Sequence, residues 1–140
     1  MSRFVVDASV AVKMLVDEAD SDQATALYRG HDLIAPDLLV SECANILWKK
    51  ARRGEVSAAE AQEASRALAG SAIDLRPMRD LMEPATRLAL RLDHPAYDCF
   101  YLALAAREDC VFVTADERLV RKVEQAGDGP AVRLLSSFAA

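Results

Sequence analysis

The sequence predicts an α/β protein: a parallel sheet of about five short strands with helices on both faces. Three observations predict it. Apolar, β-branched runs of three or four residues recur along the chain, and longer segments with helical spacing of their apolar positions separate them. The alternation of strand and helix holds almost from end to end, which is the pattern of a parallel sheet. And 140 residues, 52% hydrophobic and 28% charged, supply one domain (1–140) with a sizeable core and enough polar surface to cover it.

The elements follow in order. Phe4-Val5-Val6 ends at Asp7 and reads as a central strand buried on both faces. A helix is expected from about Ser9 to Val16, and a second from Ser21 to Arg29 with Gly30 at its C-terminal cap. Leu33-Ile34-Ala35 is a strand stopped by Pro36, and Asp37 to Arg53 is a long helix closed by Gly54. Ser57-Ala58-Ala59-Glu60 is a capping box, in which Ser and Glu satisfy each other's free backbone N–H groups; it opens a helix ending at Gly70. Ala72-Ile73-Asp74-Leu75 is expected as an edge strand. Leu81 to Leu92 is helical, with Pro84 tolerable only in the first turn, where its missing N–H breaks no bond. Tyr97 to Glu108 is helical, Val111-Phe112-Val113 is a second buried strand, and Asp116 to Gln125 is helical. Ala126-Gly127-Asp128-Gly129-Pro130 is a turn, and Val132-Arg133-Leu134 is a last strand at an edge.

Composition excludes several classes. The apolar content rules out disorder, and no apolar run approaches the ~18 residues of a membrane span. Met1-Ser2-Arg3-Phe4 leads directly into a strand without a signal peptide, so a cytoplasmic protein with no membrane partner is expected. Cys43, Cys99 and Cys110 are odd in number, lack CxxC spacing and sit in apolar segments, which reads as buried free thiols. His31 and His94, both in predicted loops, are too few for a histidine metal cage or a Ser-His-Asp triad. A net charge of −5 argues against a general nucleic-acid binder. A polyanionic substrate would need a local basic patch or a metal ion.

Four carboxylates stand out. Asp7 follows the first strand and is either a turn or N-cap residue, a part Ser9 could equally play, or a site residue. Glu42 shares a helical stripe with Asn45, Lys49, Arg52 and Arg53, opposite a buried face of Val40, Cys43, Ala44, Leu47 and Ala51. That stripe is a solvated polar face or the wall of a groove. Asp98 opens a helix that is apolar nearly all round, on the face of Leu102 and Ala105; there it either answers the helix dipole or needs a cation. Asp116 follows the strand ending at Thr114, where Thr114-Ala115-Asp116-Glu117 is also a capping-box pattern. Asp7, Asp98 and Asp116 converge on one end of one sheet. Like charges gathered in a partly desolvated pocket repel, and a hard divalent cation such as Mg²⁺ or Mn²⁺ would compensate them.

These segments resemble the PIN domain, and within it the VapC-type toxins of bacterial toxin–antitoxin pairs. The resemblance rests on Val5-Val6-Asp7-Ala8-Ser9-Val10-Ala11-Val12-Lys13 and on Glu42-Cys43-Ala44-Asn45. It continues with Tyr97-Asp98-Cys99-Phe100-Tyr101-Leu102-Ala103-Leu104-Ala105 and Thr114-Ala115-Asp116-Glu117-Arg118-Leu119. Each piece is short, but all four in this order span essentially the whole chain. Cys99 stands where the family more often has alanine, and residues 55–95 carry no family motif. The resemblance implies a PIN-like sheet and a magnesium- or manganese-dependent endoribonuclease. Asp7, Glu42, Asp98 and Asp116 would be its acidic site, with the metal on Asp7, Asp98 and Asp116. Ser9 and Thr114 would orient a carboxylate or water, and Asn45 would buttress Glu42. It also implies a cognate antitoxin that silences the enzyme. Such a partner would lay an apolar segment along the groove and place an arginine at the carboxylates.

Lys13, Lys49, Lys50, Arg52, Arg53, Arg87, Arg91, Arg118, Arg121 and Lys122 could meet the RNA; most read as ordinary solvated charges, and the RNA is expected to track the Lys49–Arg53 cluster with Lys49, Arg52 and Arg53. The wide apolar surface of Leu81–Leu92 is either core or a homodimer face. The alternatives are a phospho-aspartate domain and a non-catalytic binding module on the same fold. A dehalogenase-type phosphatase wants a second aspartate where Ser9 stands, and a receiver domain wants a lysine where Arg133 and Leu134 stand.

Overall fold

The computed structural model describes residues 2–140. Its strands are β1 (Arg3–Val6), β2 (Asp32–Pro36), β3 (Asp74–Arg76), β4 (Val111–Thr114) and β5 (Val132–Leu134). They form one sheet in the order β3-β2-β1-β4-β5, with every pairing parallel. Val5 and Val6 on β1 are both wholly enclosed. Neighbouring side chains on a strand point to opposite faces, so both faces of the sheet are covered. The chain steps outward through β2 and β3, then returns to the other side of β1 with β4. Strand order therefore reverses between β1 and β4, and a crevice opens beyond their carboxyl ends. The register sets Val6 beside Val113, so β4 runs one residue further and its last residue, Thr114, comes level with Asp7.

Among the described residues seven helices surround the sheet: α1 (Ala8–Lys13), α2 (Ser21–Gly30), α3 (Leu38–Arg52), α4 (Ala58–Ala69), α5 (Met82–Leu92), α6 (Ala96–Arg107) and α7 (Glu117–Ala126). The predicted capping box opens α4: Glu60 N–H donates to Ser57 Oγ at 3.0 Å and Ser57 N–H to Glu60 Oε1 at 2.8 Å. Pro84 falls in the first turn of α5, after a 3-10 turn at Arg79–Leu81. α6 packs against β1, β2, β4 and α5. That position explains its lack of a polar face: Cys99, Tyr101, Leu102, Ala103, Leu104 and Ala105 are all buried. Each large side chain so enclosed contributes about 1.5–3 kcal/mol of burial free energy.

Four expectations change. α1 stops at Lys13, because the following turn is tied by the side chains of Ser21 and Lys13: Ser21 Oγ accepts from Glu18 N–H and donates to Val16 C=O, and Lys13 Nζ donates to Ala19 C=O. Gly30 is the last residue of α2 and His31 takes the cap. β3 begins two residues later than expected, at Asp74, where the backbone reaches register with Ile34. On α3, Leu39, Cys43 and Leu47 are buried, but Val40 and Ala44 are exposed. Val40 and Ala44 line an open apolar groove toward α4 and β3, not a packed interior.

Candidate active site

Asp7 stands at the strand-order reversal, directly after β1. Its backbone is extended, so it serves as N-cap of α1, and its Oδ1 accepts Val10 N–H at 3.1 Å. Ser9 is not the cap; its hydroxyl donates to the same Oδ1 at 2.6 Å. Thr114, wholly buried at the end of β4, donates to Oδ2 at 2.6 Å. Three protein donors hold this carboxylate, which is only 8% exposed.

Two more carboxylates come to it from helices. Glu42 projects from α3, and its Oε1 accepts the phenol of Tyr101 at 2.5 Å. Tyr101 is itself buried on α6 and stacked on Phe112 of β4, with ring centroids 5.6 Å apart. The partner of Glu42 is thus a core tyrosine and not Asn45, which is exposed on α3. Asp98 lies in the first turn of α6, half-buried, with Oδ2 2.6 Å from His94 Nε2.

The three carboxylates feel one another. Burial raises Asp7 above the ordinary carboxylate range; its hydrogen bonds from Ser9, Thr114 and Val10 oppose this, and the Asp98 charge adds to it. Burial likewise raises Glu42, the Tyr101 bond opposes it, and the charges of Asp98 and Asp7 push further. The Tyr101 phenol is pushed up by burial and by its bond to Glu42, so it stays a donor. The Cys43 thiol is pushed up to about 12, first by burial and then by Asp7 and Glu42, which makes it inert packing. Among the described residues, no lysine or arginine forms an ion pair with Asp7, Glu42, Asp98 or Asp116.

Asp116 stands one step away. It is the N-cap of α7, its Oδ1 accepting Arg118 N–H at 3.0 Å and Leu119 N–H at 3.2 Å. Its own N–H donates to Thr114 Oγ1 at 3.2 Å, so Thr114 bridges Asp116 to Asp7. Asp116 and Ser9 line one pocket of about 340 Å³ with Lys13, Lys50 and Glu18. There Glu18 pairs with Lys50 and, at 3.4 Å, with Lys13. Lys49, Arg52 and Arg53 are exposed further along α3, and the Arg52 guanidinium lies 5.4 Å over the Trp48 ring. The basic residues at the pocket are therefore Lys13 and Lys50. Both belong to the ten basic residues the sequence offers for RNA, and Lys50 lies within the Lys49–Arg53 cluster.

The donor set is all oxygen and strongly anionic, which is the chemistry of a hard divalent cation. Among the described residues no group of three or more His, Cys, Asp or Glu side chains is gathered closely enough to hold a metal ion as they stand. At least one oxygen of each of the four carboxylates is engaged with a protein partner. The electrostatics have a measurable consequence. A carboxyl raised in the folded state gives up its proton later than in the unfolded chain, so stability falls as pH rises above 3.8, until the raised folded value is passed. Replacing Asp7 by Asn removes that contribution. Urea titrations of the metal-free proteins should show Asp7→Asn gaining on the wild type as pH rises from 3.5 to 7. A difference independent of pH would show that Asp7 is not raised.

Comparison with known proteins gives a consistent result. Residues 4–125 match the PIN domain family. The chain is 34% identical over 123 residues to Ribonuclease VapC3 of Pyrobaculum aerophilum, covering 86% of this chain and 94% of that protein. It is 36% identical over 115 residues to Ribonuclease VapC9 of Mycobacterium tuberculosis, covering 82% and 87%. Among solved structures it resembles PAE2754 from Pyrobaculum aerophilum, with a TM-score of 0.71 at 24% identity over 98% of this chain and 94% of that one. It also resembles VapBC2 from Rickettsia felis bound to a promoter DNA fragment, with a TM-score of 0.65 at 9% identity over 94% and 98%.

Proposed function

The chain belongs to the PIN-domain family, beside the VapC ribonucleases, and from that premise we propose that it is a metal-dependent endoribonuclease toxin whose catalytic carboxylates are Asp7, Glu42, Asp98 and Asp116. One observation carries the assignment of the site. Asp7, Glu42 and Asp98 arrive from three separate elements at the strand-order reversal, the Asp98 charge adds to the raised proton affinity of both Asp7 and Glu42, and none of the three pairs with a lysine or arginine. A fold that only needed stability would not gather uncompensated charge there.

Asp7, Asp98 and Asp116 would hold Mg²⁺ or Mn²⁺. When bound, the ion supplies Lewis acidity at the scissile phosphate and lowers the pKa of an attacking water. The chain's own residues do the rest. Ser9 and Thr114 lock both oxygens of Asp7, so that carboxylate needs no reorganisation during the reaction. Tyr101 fixes Glu42 Oε1, and the other oxygen is left to orient or deprotonate water. Lys13 and Lys50 stand beside Asp116, where they would receive the neighbouring phosphate of the RNA, with Lys49, Arg52 and Arg53 extending the track.

A cognate antitoxin is the expected partner. The groove of about 240 Å³ lined by Leu39, Val40, Cys43, Ala44, Leu47 and Leu68 runs along the helix that carries Glu42. An apolar segment laid there could reach the carboxylates with an arginine, whose planar fork pairs them bidentately. A homodimer through α5 is supported by Met82 and Leu90, 66% and 80% exposed on that helix.

The test is cleavage of a defined single-stranded RNA in EDTA and in millimolar Mg²⁺ or Mn²⁺. Cleavage only with metal, leaving a 5′-phosphate and a 3′-hydroxyl, is the expected outcome. Equal cleavage in EDTA, or 2′,3′-cyclic phosphate ends, would refute the mechanism, because the latter requires attack by the RNA's own 2′-hydroxyl.

A further inference from the structure

His94 lies outside the four carboxylates, yet the structure builds a support around it. α5 ends at Asp93, whose left-handed backbone (φ 50°) reverses the chain in one residue. Lys122 on α7 reaches across and donates to Asp93 C=O at 2.9 Å, while His94 N–H donates to Ala89 C=O at 3.1 Å. The imidazole is thereby held with its side chain only 14% exposed. One ring nitrogen, Nε2, is 2.6 Å from Asp98 Oδ2; the other, Nδ1, is 3.5 Å from Lys122 Nζ.

The Lys122 contact, at the outer limit of hydrogen-bond distance, favours one tautomer. A lysine ammonium has only donors, so its neighbour Nδ1 is the acceptor, and Nε2 carries the hydrogen that points at Asp98. A residue in the left-handed region, a lysine spent on its carbonyl and a buried ring are more than a surface pair needs. All three serve to hold one N–H against one oxygen of Asp98. Among the described residues, the other oxygen of Asp98 accepts no hydrogen bond.

We propose that His94 is the positioning residue of Asp98: its Nε2–H, set by Lys122 and the Asp93 turn, fixes one carboxylate oxygen and leaves the other for the cation. The inference rests on the nuclease reading above. A carboxylate that rotates freely presents its ligand oxygen only part of the time, so fixing it raises metal affinity and rate without touching the RNA.

Three measurements test this on the full chain. In the RNA-free protein, ¹⁵N shifts of the imidazole should show a protonated Nε2 and a bare Nδ1. His94→Ala should weaken Mn²⁺ binding, measured by calorimetry, and lower kcat, each by about 10–100-fold, with KM for RNA nearly unchanged. His94→Gln places an amide N–H near the position of Nε2 and should restore most of both. The proposal is overturned by an Nδ1–H tautomer, by a folded His94→Ala protein with wild-type Mn²⁺ affinity and kcat, or by a His94→Gln protein no better than His94→Ala. A wild-type protein that binds no Mn²⁺ fails at the earlier step and overturns the metal-dependent nuclease reading itself.

Discussion

Asp98→Asn is expected to reduce RNA cleavage by at least about 10²–10³-fold while the protein keeps its fold and stability. The substitution is nearly isosteric. It retains an oxygen for the Nε2–H of His94 and removes the charge that pushes Asp7 and Glu42 upward. Loss of repulsion cannot unfold the chain, so a dead but folded variant separates the chemistry from the architecture. Asp7→Asn should be as inactive, although its position is more demanding. Thr114 must then turn its hydroxyl from donor to acceptor while still receiving Asp116 N–H. The measurement is cleavage rate beside circular dichroism and a melting curve. Wild-type rates in a folded Asp98→Asn protein would remove Asp98 from the site.

Adding Mn²⁺ at a hundredfold excess over its Kd should stabilise the wild-type protein by about 2.7 kcal/mol, which for a chain of this size is about 5–10 °C in Tm. The sign follows from linkage: the unfolded chain scatters the carboxylates, so the ion binds the native state alone. Asp98→Asn should lose most of the shift because it removes both a ligand and a charge. The response should also fade as the solution is made acidic, because the raised carboxyl of Asp7 takes up its proton sooner than an ordinary aspartate and the proton competes with the ion. Identical melting curves in EDTA and millimolar Mn²⁺ would show that the carboxylates do not form a metal site.

Much of this arrangement was legible in the sequence, and what was not had definite causes. β1, β4 and α6 were readable because burial on all sides leaves an uninterrupted apolar run. Asp7 and Asp98 stood out for the same reason, as charges set against such runs. The ends of α1 and the start of β3 differ from the expected bounds because side-chain ties and strand register fix them, and neither shows in a residue pattern. The exposed Val40 and Ala44 on α3 look apolar enough for a core, but only the packing of α4 shows that they edge a groove. Tyr101 read as one more core aromatic; that its hydroxyl meets Glu42, 59 positions away, is a product of tertiary structure. His94 has no signal of its own in the sequence, since a lone loop histidine gives no sign that its ring will meet a carboxylate four positions on.

The place of β4 beside β1 has a consequence for how the protein is made. The Thr114–Asp7 hydrogen bond spans 107 positions of chain, and Asp98, Tyr101 and Asp116 also belong to the last third of the sequence. At a translation rate of roughly 5–20 residues per second, Asp7 exists for about 5–20 s before its partner on β4 has been synthesised. During that time the growing polypeptide can pair β1 with β2 and β2 with β3, yet it contains neither the second central strand nor half of the acidic groups. Catalytic competence therefore arrives late in translation and all at once, when the central strand gains its second neighbour. A potentially harmful nuclease is in this way kept inert while it is still tethered to the RNA-rich machine that builds it.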